Sequence, residues 1–174
     1  MPGIGHLAVG MAAGRLFCRR GATTKELATA MAGLSVISWL PDADVITFSL
    51  GIKYLDPLGH RGASHSLFVA AVVTLLVYGL ARLGGVRRVA RLTVLTGLVA
   101  ASHGLLDAMT DGGYGCALLW PFRTTRYFAP LRPIPVSPLG PNVLTARGLR
   151  VFLAELVMFL PFLLYATAPR PKRV

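Results

Sequence analysis

Residues 66–83 form a nearly unbroken apolar run. The run is long enough for a marginal membrane span. A backbone in hydrocarbon must satisfy its own hydrogen bonds, so the run reads as a helix. The rest of the 174-residue chain has the same character: 54% of it is hydrophobic and 14% charged, with mean hydropathy +0.62. A soluble domain carries nearer a quarter charged, and a chain this short has too much surface to bury so apolar a composition. The sequence therefore predicts one all-α, multi-pass helical membrane domain over residues 1–174, with about four to five apolar helices.

Residues 4–17 read as the first apolar helix, rich in small residues (Gly10, Ala12, Ala13, Gly14) that let helix backbones approach closely. No basic segment precedes it, so no cleavable signal is expected and the apolar helices would direct their own insertion. Thr23 and Glu26 form a capping box that opens a second helix near residue 24. Pro41 stops that helix, because proline has no N–H to donate and restricts the residue before it. The apolar run 45–52 is too short to span and reads as a re-entrant or interfacial segment. Residues 92–109 form a less hydrophobic helix carrying Thr96, Ser102, His103 and Asp107. Residues 110–148 are a long Gly/Pro-rich connection without a clean helix, of the kind that carries function. A last helix, kinked at Pro161, covers 148–168, and 169–174 form a basic tail.

The net charge of +11 comes from 18 basic and 7 acidic residues. The basic residues lie in the loops 18–25 and 84–91 and in the tail, not along one helix face. That distribution argues against nucleic acid and for contact with membrane lipids. The positive-inside rule puts both loops and the tail in the cytoplasm, with five helices and the N-terminus outside. The loop 123–150, with five arginines and no acid, then lies outside against the rule, although long loops weigh less in it. Cys18 and Cys116 have no zinc-type spacing and read as structural thiols.

On this topology the chemically capable residues collect at the outer face. His6 starts the first helix, Asp42 and Asp44 follow the second, His60 and His65 precede the third, and His103 and Asp107 end the fourth. His103 and Asp107 are four apart and share a helix face. Asp42 and Asp44, on a non-helical turn, repel each other unless a cation or proton sits between them. His6, Asp42, His65, His103 and Asp107 are the candidate metal ligands, with His60 as an additional one. Mixed histidine and carboxylate donors suit zinc, with manganese as the second choice. Asp44 or Asp111 is the candidate base. Arg61, Arg123 and Arg126 are candidates for gripping a phosphate, with interfacial arginines meeting lipid headgroups as the equal alternative. Ser64 reads as a cap of the third helix.

The ordered set His6, Pro41-Asp42-Ala43-Asp44, His60-Arg61-Gly62-Ala63-Ser64-His65-Ser66, His103 to Thr110, Gly113 and Pro121-Phe122 resembles the YdjM-like family of bacterial inner-membrane proteins. That resemblance implies a multi-pass inner-membrane protein with a metal site and a metal-dependent hydrolase activity. A fainter similarity is to the zinc-dependent phospholipase C and single-strand nuclease group, whose His-x-x-x-Asp helix His103 and Asp107 match. This chain has no histidine after His103, so the resemblance implies one or two metals rather than three.

Three functions follow as expectations. The first is a membrane-bound metal-dependent hydrolase that cleaves a phosphoester of a lipid or lipid-linked substrate. The second is a non-catalytic membrane protein with a structural metal or a polar packing cluster. The third is a small metal-handling transporter, disfavoured because the cluster lies near one face and no inverted repeat is present. Oligomeric state is left open.

Overall fold

The computed structural model describes residues 3–138 and 140–169, so the basic tail from residue 170 onward lies outside it. Among the described residues the chain is all-α. Its helices are α1 (Ile4–Phe17), α2 (Thr24–Trp39), α3 (Leu67–Leu83), α4 (Val89–Ala108) and α5 (Ala146–Thr167). Three 3-10 segments, Leu40–Leu50, Ala63–His65 and Gly140–Leu144, lie between them. α4 and α5 are each long and apolar enough to cross a membrane, while α1 and α3 are shorter apolar helices.

Local chemistry sets most of the boundaries. The Thr23 hydroxyl accepts the Glu26 N–H and the Glu26 carboxylate accepts the Thr23 N–H, so the capping box that opens α2 is complete. Ser66, not Ser64, caps α3 by accepting the Val69 N–H. The Ser64 hydroxyl instead donates to Asp44, because the 3-10 turn Ala63–His65 points it away from the helix start. α2 ends at Trp39, as Pro41 predicts, but winding continues past the proline as a 3-10 segment. Pro41 sits in the first turn of the 3-10 segment Leu40–Leu50, where no N–H is required of it. Asp42 and Asp44 therefore lie on a tight helix rather than an open turn. α5 starts at Ala146, two residues earlier than the sequence suggests, because Thr145 caps it. The connection before α5 contains the turn Gly140–Leu144 and is pinned by bridges between Thr110 and Ile134 and between Cys116 and Tyr127.

The helices alternate in direction. A Cβ added at Gly10 would lie 2.4 Å from Ser35 Cα, and one at Gly14 would lie 2.4 Å from Met31 Cα. α1 and α2 therefore touch backbone to backbone and run antiparallel, the close approach expected of the small-residue stripe. α3 and α4 are also antiparallel, since Gly97 faces Thr74 and Gly104 faces His65. α5 runs parallel to α1: Glu155 accepts the Gly5 N–H, and Arg15 donates to the Ala166 and Ala168 carbonyls. One end of the bundle thus gathers the start of α1, the end of α2, the start of α3 and the end of α4. At the other end Arg88 and Arg91 donate to the Phe17 and Leu16 carbonyls, placing cations at the C-terminus of α1.

Burial is inverted relative to a soluble protein. Arg61, His6, His103, Glu155 and Asp107 are among the largest fully buried side chains, while Leu75, Leu80 and Leu83 are 67%, 70% and 88% exposed. Water rewards the opposite arrangement, and charged residues are almost never fully buried unless paired. An apolar solvent around α3 and α5 accounts for the leucines. The buried charges need partners, and those partners sit at the first end of the bundle.

Candidate metal centre

Each functional side chain is delivered by a different element. α1 brings His6 to its first turn. The 3-10 segment after α2 supplies Asp42 and Asp44. The loop before α3 supplies His60, Arg61 and, on its own 3-10 turn, His65. The last turns of α4 supply His103 and Asp107.

Asp42, His65, His103 and Asp107 each offer a ligand atom, and the four atoms lie within 4.8 Å of one another. His65 Nε2 is 3.0 Å from His103 Nε2, 3.5 Å from Asp42 Oδ1 and 3.3 Å from Asp107 Oδ2. His103 Nε2 is 3.4 Å from Asp42 Oδ1 and 4.0 Å from Asp107 Oδ2. Ligands at ~2.0–2.1 Å around a tetrahedral ion are separated by roughly 3.3–3.4 Å. The five separations bracket that value and all four atoms lie within 4.8 Å of one another, so the donor set could hold one divalent cation.

The outer ring nitrogens are committed elsewhere, as metal-ligating imidazoles require. His103 Nδ1–H donates to the Ser38 carbonyl at 2.6 Å, leaving Nε2 to face the cluster. His65 Nδ1–H is shared between Ser64 Oγ at 2.9 Å and Asp44 Oδ2 at 3.2 Å. Asp44 is therefore surrounded by donors: the Ser64 hydroxyl at 2.5 Å, the Arg61 N–H at 3.2 Å and His60 Nδ1 at 2.6 Å besides His65. Asp44, His60 and His65 form a second donor group that shares His65 with the first.

Burial opposes the Asp42 and Asp44 charges, but hydrogen bonds outweigh it. His103 and His65 hold Asp42, and His60 and His65 hold Asp44, well below the usual carboxylate range. Burial likewise opposes the His65 cation, yet Asp107, Asp42 and Asp44 push it up to about 10. Without a cation, a proton on His65 Nε2 bridges to His103 Nε2 and takes a metal's place among the carboxylates.

The other sequence candidates are placed as follows. His6 is fully buried, stacks on His103 at 3.7 Å between ring centroids, and sits 3.5 Å from Asp107 Oδ1. Neither of its ring nitrogens has a hydrogen-bond partner among the described residues. Arg61 is 2% exposed and adopts φ 60°, a backbone region that non-glycine residues rarely occupy and that clusters at functional sites. Its Nε lies 3.1 Å from Asp107 Oδ2, and its NH1 donates to Thr110 Oγ1 at 2.8 Å. Arg126 donates to the carbonyls of His60, Tyr54 and Asp56 and so braces the loop that carries His60. Asp111 is exposed, and its carboxylate accepts the Val136 N–H, outside both donor groups. Arg123 is exposed and outside them as well. Burial pushes the Cys116 thiol up to about 12, which keeps it an unreactive thiol.

Sequence reasoning did not find Ser38, Thr110 or Gly104. Ser38 acts through its backbone carbonyl, which no side-chain motif reveals. Thr110 and Gly104 lie inside the motif running from His103, but their roles depend on contacts with Arg61 and His65, far away in the chain.

A cleft of about 760 Å³ opens onto this centre through Asp42, His60 and Arg61. Its other walls are mainly apolar and aromatic, including Trp39, Tyr54, Tyr114 and Val143. Asp42, whose side chain is 26% exposed, is the candidate ligand on the cleft side.

Comparison with known proteins finds an inner-membrane family. The YdjM inner membrane protein family matches residues 1–170. The inner membrane protein YbcI of Escherichia coli (strain K12) is 38% identical over 131 residues, covering 74% of this chain and 76% of that protein. No solved structure matches.

Proposed function

The chain belongs to the YdjM inner membrane protein family, and from that premise we propose that it is a membrane-bound metal-dependent hydrolase cleaving a phosphoester of a lipid or lipid-linked substrate. The family and the two long apolar helices support a bacterial inner-membrane location. The observation that carries the reading is the convergence of Asp42, His65, His103 and Asp107 at tetrahedral spacing beside an amphipathic cleft. A divalent cation held by these residues, zinc first and manganese second, would lower the pKa of a water admitted in place of one of the four donors and would polarise a phosphoryl oxygen.

The chain's own groups supply the rest. Arg61 balances the Asp107 charge and presents a cation at the cleft wall, where a phosphate is bound. Asp44 orients His65 and His60. His60, which lines the cleft and is held through Nδ1 by Asp44 behind it, is the proton acceptor, an imidazole held by a carboxylate. The apolar walls receive the lipid portion, and Arg126 braces the loop that carries His60.

The second reading, a structural metal, is favoured by one observation: His65, His103 and Asp107 are almost wholly buried and the donor set is complete without solvent. A turnover assay separates the two. Purified protein is incubated with a chromogenic phosphodiester and short-chain phospholipids, with zinc or manganese. The proposal expects hydrolysis that disappears on chelation and returns with metal. Stable, metal-loaded protein that turns over no phosphoester establishes the structural reading instead.

Metal uptake should depend on pH. At neutral pH the metal-free protein carries a proton on His65, which a metal must displace. Apparent affinity then rises about tenfold per pH unit above neutrality and levels off near pH 10. In the metal-free protein the His65 contribution to stability is complete below its unfolded pKa of ~6.5 and is lost as pH rises through about 10. Asp44→Asn removes one carboxylate that raises His65, so its plateau should move to lower pH. Isothermal titration at stepped pH checks both; a flat profile refutes the displaced proton.

A further inference from the structure

A second cavity, of about 730 Å³, lies at the end of the bundle away from the His/Asp cluster. Its walls are the loop between α1 and α2, the first turns of α2, and the loop between α3 and α4. From His6 to Phe17 the rise of α1 puts it roughly 16 Å from the metal centre. Arg20, Lys25, Arg87 and Arg88 line it, with Phe17 and Val86 supplying apolar surface.

Basic side chains outnumber acids in the walls of this cavity. Among the described residues lining it, Glu26 is the acid, and its carboxylate is committed to the capping box, accepting the Thr23 N–H at 2.7 Å and the Thr23 hydroxyl at 2.9 Å. Arg88 donates to the Phe17 carbonyl, a neutral acceptor that satisfies a hydrogen bond but not a charge. Arg19 and Arg91 lie close enough for their like charges to act on the Arg88 guanidinium. The positive end of the α2 dipole adds to the same field. Cations crowded around a concave, half-apolar space are an anion site, and arginine forks match phosphate oxygens.

We propose that this cavity binds a phosphate group, presented either by the headgroup of an acidic phospholipid or as free inorganic phosphate. It is distinct from the metal centre and needs no metal. Phe17 and Val86 would meet the glycerol and upper acyl carbons of a lipid, and the basic loops lie where the positive-inside rule puts an anionic leaflet.

The test uses the full chain purified in detergent. Binding of dihexanoyl phosphatidylglycerol is measured by isothermal titration, with dihexanoyl phosphatidylcholine as the zwitterionic control. His103→Ala serves as a background in which the metal centre is disabled. The expected result is saturable binding of phosphatidylglycerol that persists in the His103→Ala background and that the distant surface change Arg147→Gln leaves unaltered. The triple variant Arg20→Gln, Lys25→Gln, Arg87→Gln weakens it by about a hundredfold. Displacement of the lipid by millimolar inorganic phosphate identifies the ion itself as sufficient; lipid binding without displacement identifies the headgroup with its glycerol as the ligand. Equal binding of phosphatidylcholine, no binding of either ligand, or full binding by a triple variant with native helical circular dichroism overturns the proposal. If the triple variant does not fold, the single variants Arg20→Gln and Arg87→Gln decide, and undiminished binding by both overturns it.

Discussion

His103→Ala is expected to reduce bound zinc from one ion per chain to near zero, measured by elemental analysis after dialysis against metal-free buffer. His103 contributes the Nε2 that lies within 4.0 Å of each of the other three donors for which a separation is given above. Its ring is fixed by the Ser38 carbonyl and by stacking on His6. Alanine leaves three donors and no tetrahedral set. Loss of an outer partner of a metal ligand costs about 10–100-fold in affinity, and loss of the ligand itself costs more. The substitution also empties a buried volume, at a cost of about 2 kcal/mol or more. A control separates the two effects. Thr96→Val lies on the same helix, is fully buried, and belongs to neither donor group. It should keep its metal. Retention of stoichiometric zinc by His103→Ala, with the cluster otherwise intact, would rule out the four-donor site.

The same residues mark what a linear reading can and cannot reach. The capping box of Thr23 and Glu26 and the shared helix face of His103 and Asp107 are local, set within four residues, and both are readable from spacing. The gathering of His6, Asp42, His65, His103 and Asp107 at one end was also readable, because apolar helices of alternating direction force their ends together. What escaped depends on contacts between distant segments. Pro41 ends α2 as its chemistry predicts, yet the 3-10 segment that follows and holds both aspartates is not legible in it. Ser64 reads as the cap of α3 in sequence, and Ser66 is the cap in the fold. Asp44, twenty residues back from Ser64, decides between them by accepting the Ser64 hydroxyl. Arg61 reads as a candidate anion grip, but its hold by Asp107 and Thr110 in the wall of the cleft is not legible from its own segment. Each of these outcomes turns on a partner that only the folded bundle supplies.

The largest effect outside the ligands should come from Gly104→Ala, which touches no donor atom. Gly104 lies on α4 between His103 and Asp107, where the 3-10 turn carrying His65 rests directly on the helix. A Cβ at this position would lie 2.2 Å from the His65 carbonyl oxygen and 3.1 Å from Leu118 Cδ2. The helix fixes the direction of that Cβ, and its neighbour is backbone, so no rotamer change relieves the clash. His65 must retreat by about 1 Å to restore an ordinary contact. That retreat opens the 3.0 Å separation between His65 and His103 and strains the Asp44 bonds to His65 and Ser64. Overpacking of this kind costs about 1–3 kcal/mol or more, and the donor set loses its tetrahedral spacing as well. Gly97→Ala on the same helix is the matched comparison. Its Cβ would meet Thr74 side-chain atoms at 3.4 and 3.5 Å, an ordinary contact, and alanine in place of glycine favours a helix interior by about 0.5–1 kcal/mol. The two substitutions are chemically identical and should differ in sign. Gly97→Ala should hold or raise the melting temperature and keep its zinc, whereas Gly104→Ala should lower the melting temperature and lose most of its zinc. Equal metal content in the two variants would mean that the approach of the His65 turn to α4 does not set the geometry of the site.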